Sequence, residues 1–315
     1  TKTGFVLVDL LNHCLSLLHP GCTVFALKQT SGHYLLGSNS DDPWDSRTRL
    51  VCEKLGRYRF IATQLMCSGD QSLPWANMYT RGLNEKGLGF NYAHVEPNDG
   101  NWATESGMTF REFSIQLLSE CGDTYEAEKL IRSHPRAYHG NFVMNDRENN
   151  AVLFEITTKK LRVVRADGLN GLYLRCNHYI SKSMQKWDST EGDSKENSLT
   201  RVDSACQAYL HSDCKDFEQA RAILSNHVNR HENEPGWGFS NCNHGKEGGT
   251  VSSEIIDTAN GIFYYCLGWP CGGAPKHSEQ LDQNLSWGRD KADPLSDMPE
   301  SAVLVDVLNG VAVDK

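Results

Sequence analysis

The sequence predicts an α+β protein in which grouped helices lie over antiparallel sheets. Local patterns place strands first, then helices, then strands, helices and strands again along the chain. Grouped helices are typical of α+β domains, whereas a dinucleotide-binding fold requires strands and helices to alternate one by one. The 27 glycines and 10 prolines also suit a chain with many turns between strands.

The amino-terminal third of the chain predicts short strands. Four runs are apolar or alternate at strand length, and they span residues 23–27, 33–37, 57–65 and 87–92. Ser31 and Gly32 separate the first two runs and predict a tight hairpin between them. This hairpin would return the chain to the point where the first strand begins.

Two helices are predicted next from their end signals. Thr109 with Glu112 matches the capping box that begins a helix, and Gly122 is expected to end that helix. Asp123 with Glu126 begins the second helix in the same way. Both segments carry apolar residues at helical spacing, so each helix should bury one face.

Strands and helices alternate in groups over the remaining chain. The predicted strands span residues 141–145, 151–157, 161–165, 172–175, 250–257 and 262–267. Apolar residues at helical spacing predict one helix through 199–210 and another that begins near Asp216. Asn260 and Gly261 predict the turn of the last hairpin. Residues 275–300 are polar and are expected to form an extended arm.

Composition and charge exclude several classes of protein. Of the 315 residues 39% are hydrophobic, which is enough for a sizeable core, and the net charge is -9. An acidic chain argues against binding to nucleic acid or to an anionic membrane, because phosphates are bound by basic surfaces. No apolar run reaches the roughly 18 residues of a membrane span. We therefore expect a cytoplasmic protein.

The cysteines do not follow a disulfide or zinc pattern. All eleven are scattered and none forms a CxxC pair, so reduced thiols are expected, although a secreted, disulfide-bonded protein remains an alternative. Cys176 and His178 flank an asparagine, as do Cys242 and His244, but the two pairs lie far apart and lack the spacing of a structural zinc site. We expect no metal and no cofactor.

The Gly21–Cys22 junction is the strongest candidate for chemistry. Gly21 has no side chain to obstruct attack on its carbonyl, and Cys22 opens an apolar strand. If the peptide bond between them were cut, Cys22 would carry a thiol and a free α-amine, whose ordinary pKa is about 7.7–8.0. Such an amine can act as the general base for its own thiol. The alternative is a buried cysteine beside a turn.

Four polar residues could complete this site. Asp41 follows Cys22 by 19 positions, and the hairpin would bring its carboxylate near the amine. Asn91 and Asn177 lie at or near strand ends, where a side-chain NH2 can stabilise an oxyanion. Arg201 lies near the start of a predicted helix and could pair with a carboxylate. Taken singly, each could be an ordinary turn, strand-end or surface residue.

Together, these motifs resemble the N-terminal-nucleophile hydrolases that use an N-terminal cysteine. The nearest groups are the choloylglycine hydrolases and the acyl-coenzyme A:6-aminopenicillanic-acid acyltransferases, which act on linear amides. The matching pieces, in family order, are Cys22-Thr23, Gly37-x-Asn39-x-Asp41, Arg81 to Leu88, Gly140-Asn141-Phe142, Glu155, Cys176-Asn177-His178, Ser198-x-x-Arg201 and Gly249 to Ser253. Many choloylglycine hydrolases carry an arginine where this chain has Ser38, so the acyltransferase-related branch fits better.

The resemblance implies a fold, a site and a reaction. The fold would be a four-layer αββα sandwich with two antiparallel sheets between helical layers. Residues 1–21 would be a propeptide, removed by autocleavage between Gly21 and Cys22, and residues 22–315 a single catalytic domain. Cys22 would be the nucleophile, Asp41 would orient its amine, Asn177 and Asn91 would line the oxyanion hole, and Arg201 would support the site.

The expected activity is that of a self-processing cysteine amidohydrolase, made as a zymogen, that cleaves a linear, non-peptide amide through an acyl-thioester. The substrate would be a small acylated amine or an aminoacyl conjugate. The alternatives are an acyltransferase that passes the acyl group to an amine, and a non-catalytic binding protein on the same fold. The sequence leaves open whether the chain forms a homo-oligomer and whether the propeptide stays associated after cleavage.

Overall fold

A computed structural model describes residues 21–43, 47–66, 78–100, 106–167, 171–228, 239–245, 248–271, 304–306 and 311–313 of the chain. The polar arm expected at residues 275–300 lies outside these ranges. The strands are β1 (Gly21–Lys28), β2 (Tyr34–Pro43), β3 (Arg47–Lys54), β4 (Arg59–Met66), β5 (Met78–Asn84), β6 (Gly89–Ala93), β7 (Met108–Thr109), β8 (Arg136–Ala137), β9 (Gly140–Asn145), β10 (Val152–Ile156), β11 (Leu161–Arg165), β12 (Leu172–Arg175), β13 (Gly248–Asp257), β14 (Ile262–Leu267), β15 (Leu304–Asp306) and β16 (Val311–Val313). The helices are α1 (Phe110–Glu120), α2 (Thr124–Ser133), α3 (Lys182–Gln185), α4 (Gly192–His211) and α5 (Asp216–Leu224).

Two large antiparallel sheets form the centre of the described structure. Sheet I has the strand order β12-β1-β2-β13-β14-β15-β16, and sheet II has the order β11-β10-β9-β6-β5-β4-β3. The β1–β2 and β13–β14 hairpins occur where turn residues predicted them, and β9, β10 and β11 form an antiparallel meander. Strand β1 lies between β2 and β12; it pairs with β2 from Gly21 onward and with β12 from Val24 onward.

Apolar side chains divide the molecule into four layers. One core cluster joins the two sheets and includes Cys22, Val24, Leu83 and Val143. A second cluster packs sheet II against α1 and α2, and a third packs sheet I against α4 and α5. The architecture is therefore the αββα sandwich that the resemblance implied. Burial of alternate strand residues on two faces explains why both sheets are apolar on each side.

The helix ends follow the predicted capping chemistry, with one difference. Thr109 and Glu112 form the capping box of α1, and Asp123 accepts hydrogen bonds from two backbone amides at the start of α2. Helix α1 ends at Glu120, not at Gly122, because Cys121 already has extended backbone angles. The Gly122 amide donates instead to Glu126 Oε2, at 2.6 Å.

The described helices range in length from 4 to 20 residues. None of them is long and apolar enough to cross a membrane.

Candidate active site

The β1–β2 hairpin brings Cys22 and Asp41 to the same end of sheet I. Gly21 pairs with Asp41 in the strand register, and Cys22 pairs with Ser40. The Cys22 side chain belongs to the core cluster between the two sheets and is 9% exposed. The predicted proximity of the nucleophile and the aspartate is thus a direct result of hairpin geometry.

Gly21 occupies a position that other residues would strain. Its φ is +108°, in a region that side-chain-bearing residues rarely adopt. A Cβ atom at this position would lie 2.7 Å from Asn177 Oδ1 and would also collide with the Arg201 guanidinium. Glycine therefore allows the peptide bond before Cys22 to approach these two side chains closely.

Asn177 holds the backbone of Cys22. It follows directly after β12, and its Oδ1 accepts hydrogen bonds from the Cys22 amide and from Arg201 Nη2, both at 2.6 Å. Two donors facing one oxygen fix the orientation of the amide group. The Asn177 NH2, which the predicted oxyanion hole would use, donates to the His94 carbonyl at 2.8 Å. The oxyanion role of Asn177 stays a prediction.

Arg201 is an internal residue of the site. It lies on α4 and is 1% exposed, which excludes the alternative of a solvated surface arginine. Its Nη1 donates to the Cys22 carbonyl, and its Nε donates to Asn197 Oδ1 at 2.6 Å. Arg201 therefore contacts the Gly21–Cys22 junction from the carbonyl side of Cys22, while Asn177 contacts it from the amide side.

Asp41 is buried, and only one of its two carboxylate oxygens has a hydrogen-bond partner among the described residues. Its Oδ1 accepts from the Thr250 hydroxyl at 2.6 Å, and no hydrogen-bond partner for Oδ2 lies among the described residues. Burial raises the pKa of Asp41 to about 7, although the Arg201 charge and the Thr250 hydrogen bond oppose the shift. Asp41 can therefore change its charge near neutral pH.

Asn91 lies on the predicted strand and faces the space between the sheets. Its neighbours Phe90 and Tyr92 pack towards the helices on sheet II, so the alternation of β6 points Asn91 the other way. Both polar atoms of its side chain are buried without a hydrogen-bond partner among the described residues. No hydrogen bond links Asn91 to Cys22 or Asn177 within that part of the chain, and its oxyanion role stays a prediction.

An ion pair beside Cys22 was not singled out from the sequence. Arg81 and Glu254 are 1% and 0% exposed, and Arg81 Nε lies 3.6 Å from Glu254 Oε2. Glu254 also accepts hydrogen bonds from the hydroxyls of Ser38, Thr63 and Ser252, at 2.8–2.9 Å. The sequence did contain a signal for this ion pair: Arg81 and Glu254 are charged residues within two otherwise almost uncharged strands, and a buried charge usually requires a partner of opposite charge.

Arg81 also affects the nucleophile. Burial raises the pKa of the Cys22 thiol, and the positive charge of Arg81 opposes that rise. The chain has Ser38 where many choloylglycine hydrolases have arginine, and in this structure the Ser38 hydroxyl binds the carboxylate that pairs with Arg81. A guanidinium from sheet II thus lies near the thiol.

Comparison with known proteins agrees with the architecture. Two antiparallel sheets between helical layers are consistent with the fold of the N-terminal-nucleophile hydrolases. A family model described as acyl-coenzyme A:6-aminopenicillanic acid acyl-transferase matches residues 30–270, and the chain belongs to this family. No curated protein matches the chain significantly.

Several solved structures of low sequence identity align with most of this chain. A mutant of conjugated bile acid hydrolase from Clostridium perfringens is 14% identical, with a TM-score of 0.49 over 78% of this chain and 89% of that chain. The Caenorhabditis elegans orthologue of N-acylethanolamine-hydrolyzing acid amidase is 13% identical, with a TM-score of 0.49 over 76% and 93%. Penicillin V acylase from Agrobacterium tumefaciens is 10% identical, with a TM-score of 0.44 over 78% and 83%.

Proposed function

We propose that the chain is a self-processing cysteine amidohydrolase that acts on a linear amide. The observation that carries the proposal is the contact set around the backbone of Cys22: Asn177 binds its amide, Arg201 binds its carbonyl, and Gly21, directly before it, has the positive φ that leaves room for both side chains. The backbone of any buried cysteine needs hydrogen-bond partners, but here the partners are two polar side chains from separate elements, one following β12 and one on α4. Such side chains can hold the junction in one orientation for attack by the thiol.

Self-cleavage would convert the junction into the catalytic group. The Cys22 Sγ attacks the Gly21 carbonyl carbon, the carbon–nitrogen bond breaks, and the Cys22 nitrogen takes the thiol proton. Water then hydrolyses the resulting thioester, which releases residues 1–21 with a carboxylate and leaves Cys22 with a free thiol and α-amine. Residues 22–315 would form the mature catalytic domain.

Turnover would use the same atoms a second time. The α-amine accepts the thiol proton, the thiolate attacks the substrate carbonyl, and the amine passes the proton to the leaving amine. Water hydrolyses the acyl-thioester. Asp41 lies across the strand pair from this amine, so its ionised carboxylate would orient and stabilise the protonated form. Asn91, whose side-chain amide is buried without a partner among the described residues, would donate to the oxyanion.

The family match supports a second candidate, transfer of the acyl group to an amine. Hydrolysis and transfer share the nucleophile and the thioester, and they differ in whether water or an amine reaches the thioester. We place hydrolysis of a small acylated amine or aminoacyl conjugate first.

The first experiment is intact-mass measurement with N-terminal sequencing of the freshly purified protein. We expect the wild-type chain to begin at Cys22 and Cys22→Ala to remain uncut. Cys52→Ala is the matched control, because this thiol is exposed on β3, and it should process like the wild type. Wild-type protein that remains uncut over days at several pH values would contradict self-processing.

Turnover is tested separately with a panel of N-acyl amines and aminoacyl amides. We expect a covalent mass increase equal to the acyl group, present in the processed wild type and absent from Cys22→Ala. Addition of a second amine then separates the two activities, because a transferase forms a new amide and a hydrolase forms the free acid. A processed protein that never forms the acyl adduct would favour a binding function on the same fold.

A further inference from the structure

A cluster of two cysteines and two histidines lies outside the Cys22 site. His227 follows α5, Cys242 and His244 lie in the segment 239–245, and Cys271 follows β14. One potential ligand atom from each of these four residues lies within 4.8 Å of all the others. Three separate parts of the chain therefore bring four nitrogen and sulfur ligands to one point.

Only one of the two Cys-Asn-His strings in the sequence belongs to this cluster. Cys176 and His178 do not join the cluster; the His178 ring instead lies 2.7 Å from the Ser198 hydroxyl. Cys242 and His244 gain their partners from His227, 15 positions earlier, and Cys271, 27 positions later. Because this spacing is long and irregular, it matches no zinc-binding sequence pattern.

The distances within the cluster suit a shared ion. His244 Nε2 lies 3.2 Å from Cys242 Sγ and 3.3 Å from Cys271 Sγ. Tetrahedral zinc, with bonds of about 2.0–2.3 Å, holds its ligand atoms roughly 3.3–3.8 Å apart. His244 Nε2 and the two sulfur atoms are thus already close to the separations of a zinc site, and the fourth ligand atom, from His227, lies within 4.8 Å of each of them.

A buried nitrogen gives a second and independent indication of a ligand. The Nε2 atom of His227 is buried, and no hydrogen-bond partner for it lies among the described residues. A buried ring nitrogen without a partner is costly, and an ion at the centre of the cluster would satisfy it. The ring of His227 also packs against that of His244, with centroids 4.9 Å apart.

We propose that His227, Cys242, His244 and Cys271 bind a structural zinc ion. Two thiolates and two imidazoles are a donor set that zinc prefers, and four protein ligands leave no open position for catalysis. The thiols lose their protons when the metal binds, so uptake of zinc releases protons to solvent. The site would tie the end of α5, the segment 239–245 and the end of β14 together.

The same segment carries a residue that contacts the catalytic strand. With its amide nitrogen towards Thr23, Asn241 donates to the Thr23 hydroxyl and to the Arg201 carbonyl, both at 3.1 Å. The backbone carbonyl of Asn241 accepts a hydrogen bond from Asn39 Nδ2 at 2.7 Å. Zinc at Cys242 and His244 would therefore fix the loop that packs behind Cys22, although none of the four ligands belongs to the proposed catalytic group.

Metal analysis of protein purified without a histidine tag tests this site. We expect about one zinc ion per chain in the wild type, which is the stoichiometry of a single four-ligand site. The double variant Cys242→Ser, Cys271→Ser should lose at least nine tenths of that zinc. The matched control Cys52→Ser, Cys214→Ser removes two exposed thiols and should keep it.

Cobalt substitution keeps the test valid if the ligand variant fails to fold. Wild-type protein stripped with a chelator and titrated with Co²⁺ should show the visible bands of a tetrahedral S₂N₂ site, saturating at one equivalent, and Zn²⁺ should displace them. Wild-type protein that takes up neither ion would overturn the proposal. So would a disulfide between Cys242 and Cys271, or a ligand variant that holds as much zinc as the control.

Discussion

At the scale of single residues, Gly21 is the residue whose backbone angle and small size allow the observed packing around the Gly21–Cys22 peptide bond. Its positive φ turns the peptide bond towards Asn177 Oδ1, and the absent Cβ leaves room for the Arg201 guanidinium. Gly32 also has a positive φ, +90°, but a Cβ there would meet nothing within 4 Å. The two glycines therefore share the backbone requirement and differ in the packing requirement.

Gly21→Ala should slow self-cleavage by at least about tenfold, because strain of roughly 1–2 kcal/mol in this φ region adds to the collision with Arg201 and Asn177. The half-time of cleavage, followed by intact mass after the protein is released from denaturant, measures the effect. Gly32→Ala is the control and should cleave at the wild-type rate. Equal rates for all three proteins would show that the Gly21 geometry is irrelevant to processing.

Asp41 should make the stability of the uncut chain depend on pH. Its pKa is about 7 in the fold against an ordinary value of 3.8, so the folded state keeps a proton that the unfolded state loses between about pH 4 and pH 7. The contribution of Asp41 therefore becomes less favourable as pH rises through this window. Asp41→Asn, which is always neutral, should gain stability relative to the parent chain over the same window.

Melting temperatures from pH 4 to pH 8 test this prediction in a Cys22→Ala background, which prevents cleavage. The Tm of the Asp41→Asn chain minus that of its parent should rise by several degrees across the range. The exposed residue Asp213 provides the control substitution Asp213→Asn. A Tm difference for Asp41→Asn that does not change with pH would contradict the assigned shift.

At the scale of elements, α1 begins where side chains replace missing backbone hydrogen bonds. Thr109 Oγ1 accepts from the Glu112 amide, and Glu112 Oε2 accepts from the Thr109 amide at 2.8 Å. These two bonds satisfy donors that the first turn of a helix leaves free. Helix α1 also carries Phe113 and Leu117, which pack on sheet II. The capping box and this apolar packing therefore both stabilise the helix.

Thr109→Ala should reduce the free energy of unfolding by about 1 kcal/mol, which is typical for loss of an N-cap hydroxyl. Urea unfolding followed by far-UV circular dichroism measures the change. Thr109→Ser retains the hydroxyl and should cost only a small part of that amount. If serine and alanine destabilise the protein equally, then packing of the threonine methyl group, and not the cap, accounts for the loss.

At the scale of the whole molecule, the four layers depend on aromatic packing between sheet II and its helices. Phe142 on β9 is fully buried, and its ring contacts those of Tyr92, Phe110 and Phe113 at centroid distances of 5.0–5.7 Å. Edge and tilted contacts of this kind add to the stabilisation that comes from burial. This cluster positions β6, on which Asn91 faces the space between the sheets.

Phe142→Ala should lower the free energy of unfolding by about 3–5 kcal/mol, because it removes buried contacts and leaves a cavity. Phe142→Leu should cost less, since it fills part of that space. Leu210→Ala is the surface control, at a position that is 68% exposed. Chemical denaturation of the Cys22→Ala chain measures all three; a loss for Phe142→Ala no greater than that for Leu210→Ala would contradict the assigned packing.

Much of the fold and part of the site could be predicted locally. Thr109 and Asp123 mark helix starts by their capping chemistry, and the Ser31–Gly32 turn fixes the hairpin that places Asp41 opposite Gly21. Each of these predictions concerns residues close together in the sequence. Helix α1 ends at Glu120, two residues before Gly122, and the Gly122 amide donates to Glu126 in the first turn of α2.

The order of elements, the Gly21–Cys22 junction and its closeness to Asp41 could all be read from the sequence, because turns and strand alternation act over short separations. Which distant residues meet depends on the tertiary structure. Arg81 and Glu254 approach each other from opposite sheets, and the four Cys and His ligands come from three separate segments. Such contacts depend on how the layers stack, and no periodicity or spacing in one chain encodes the distance between two packed elements.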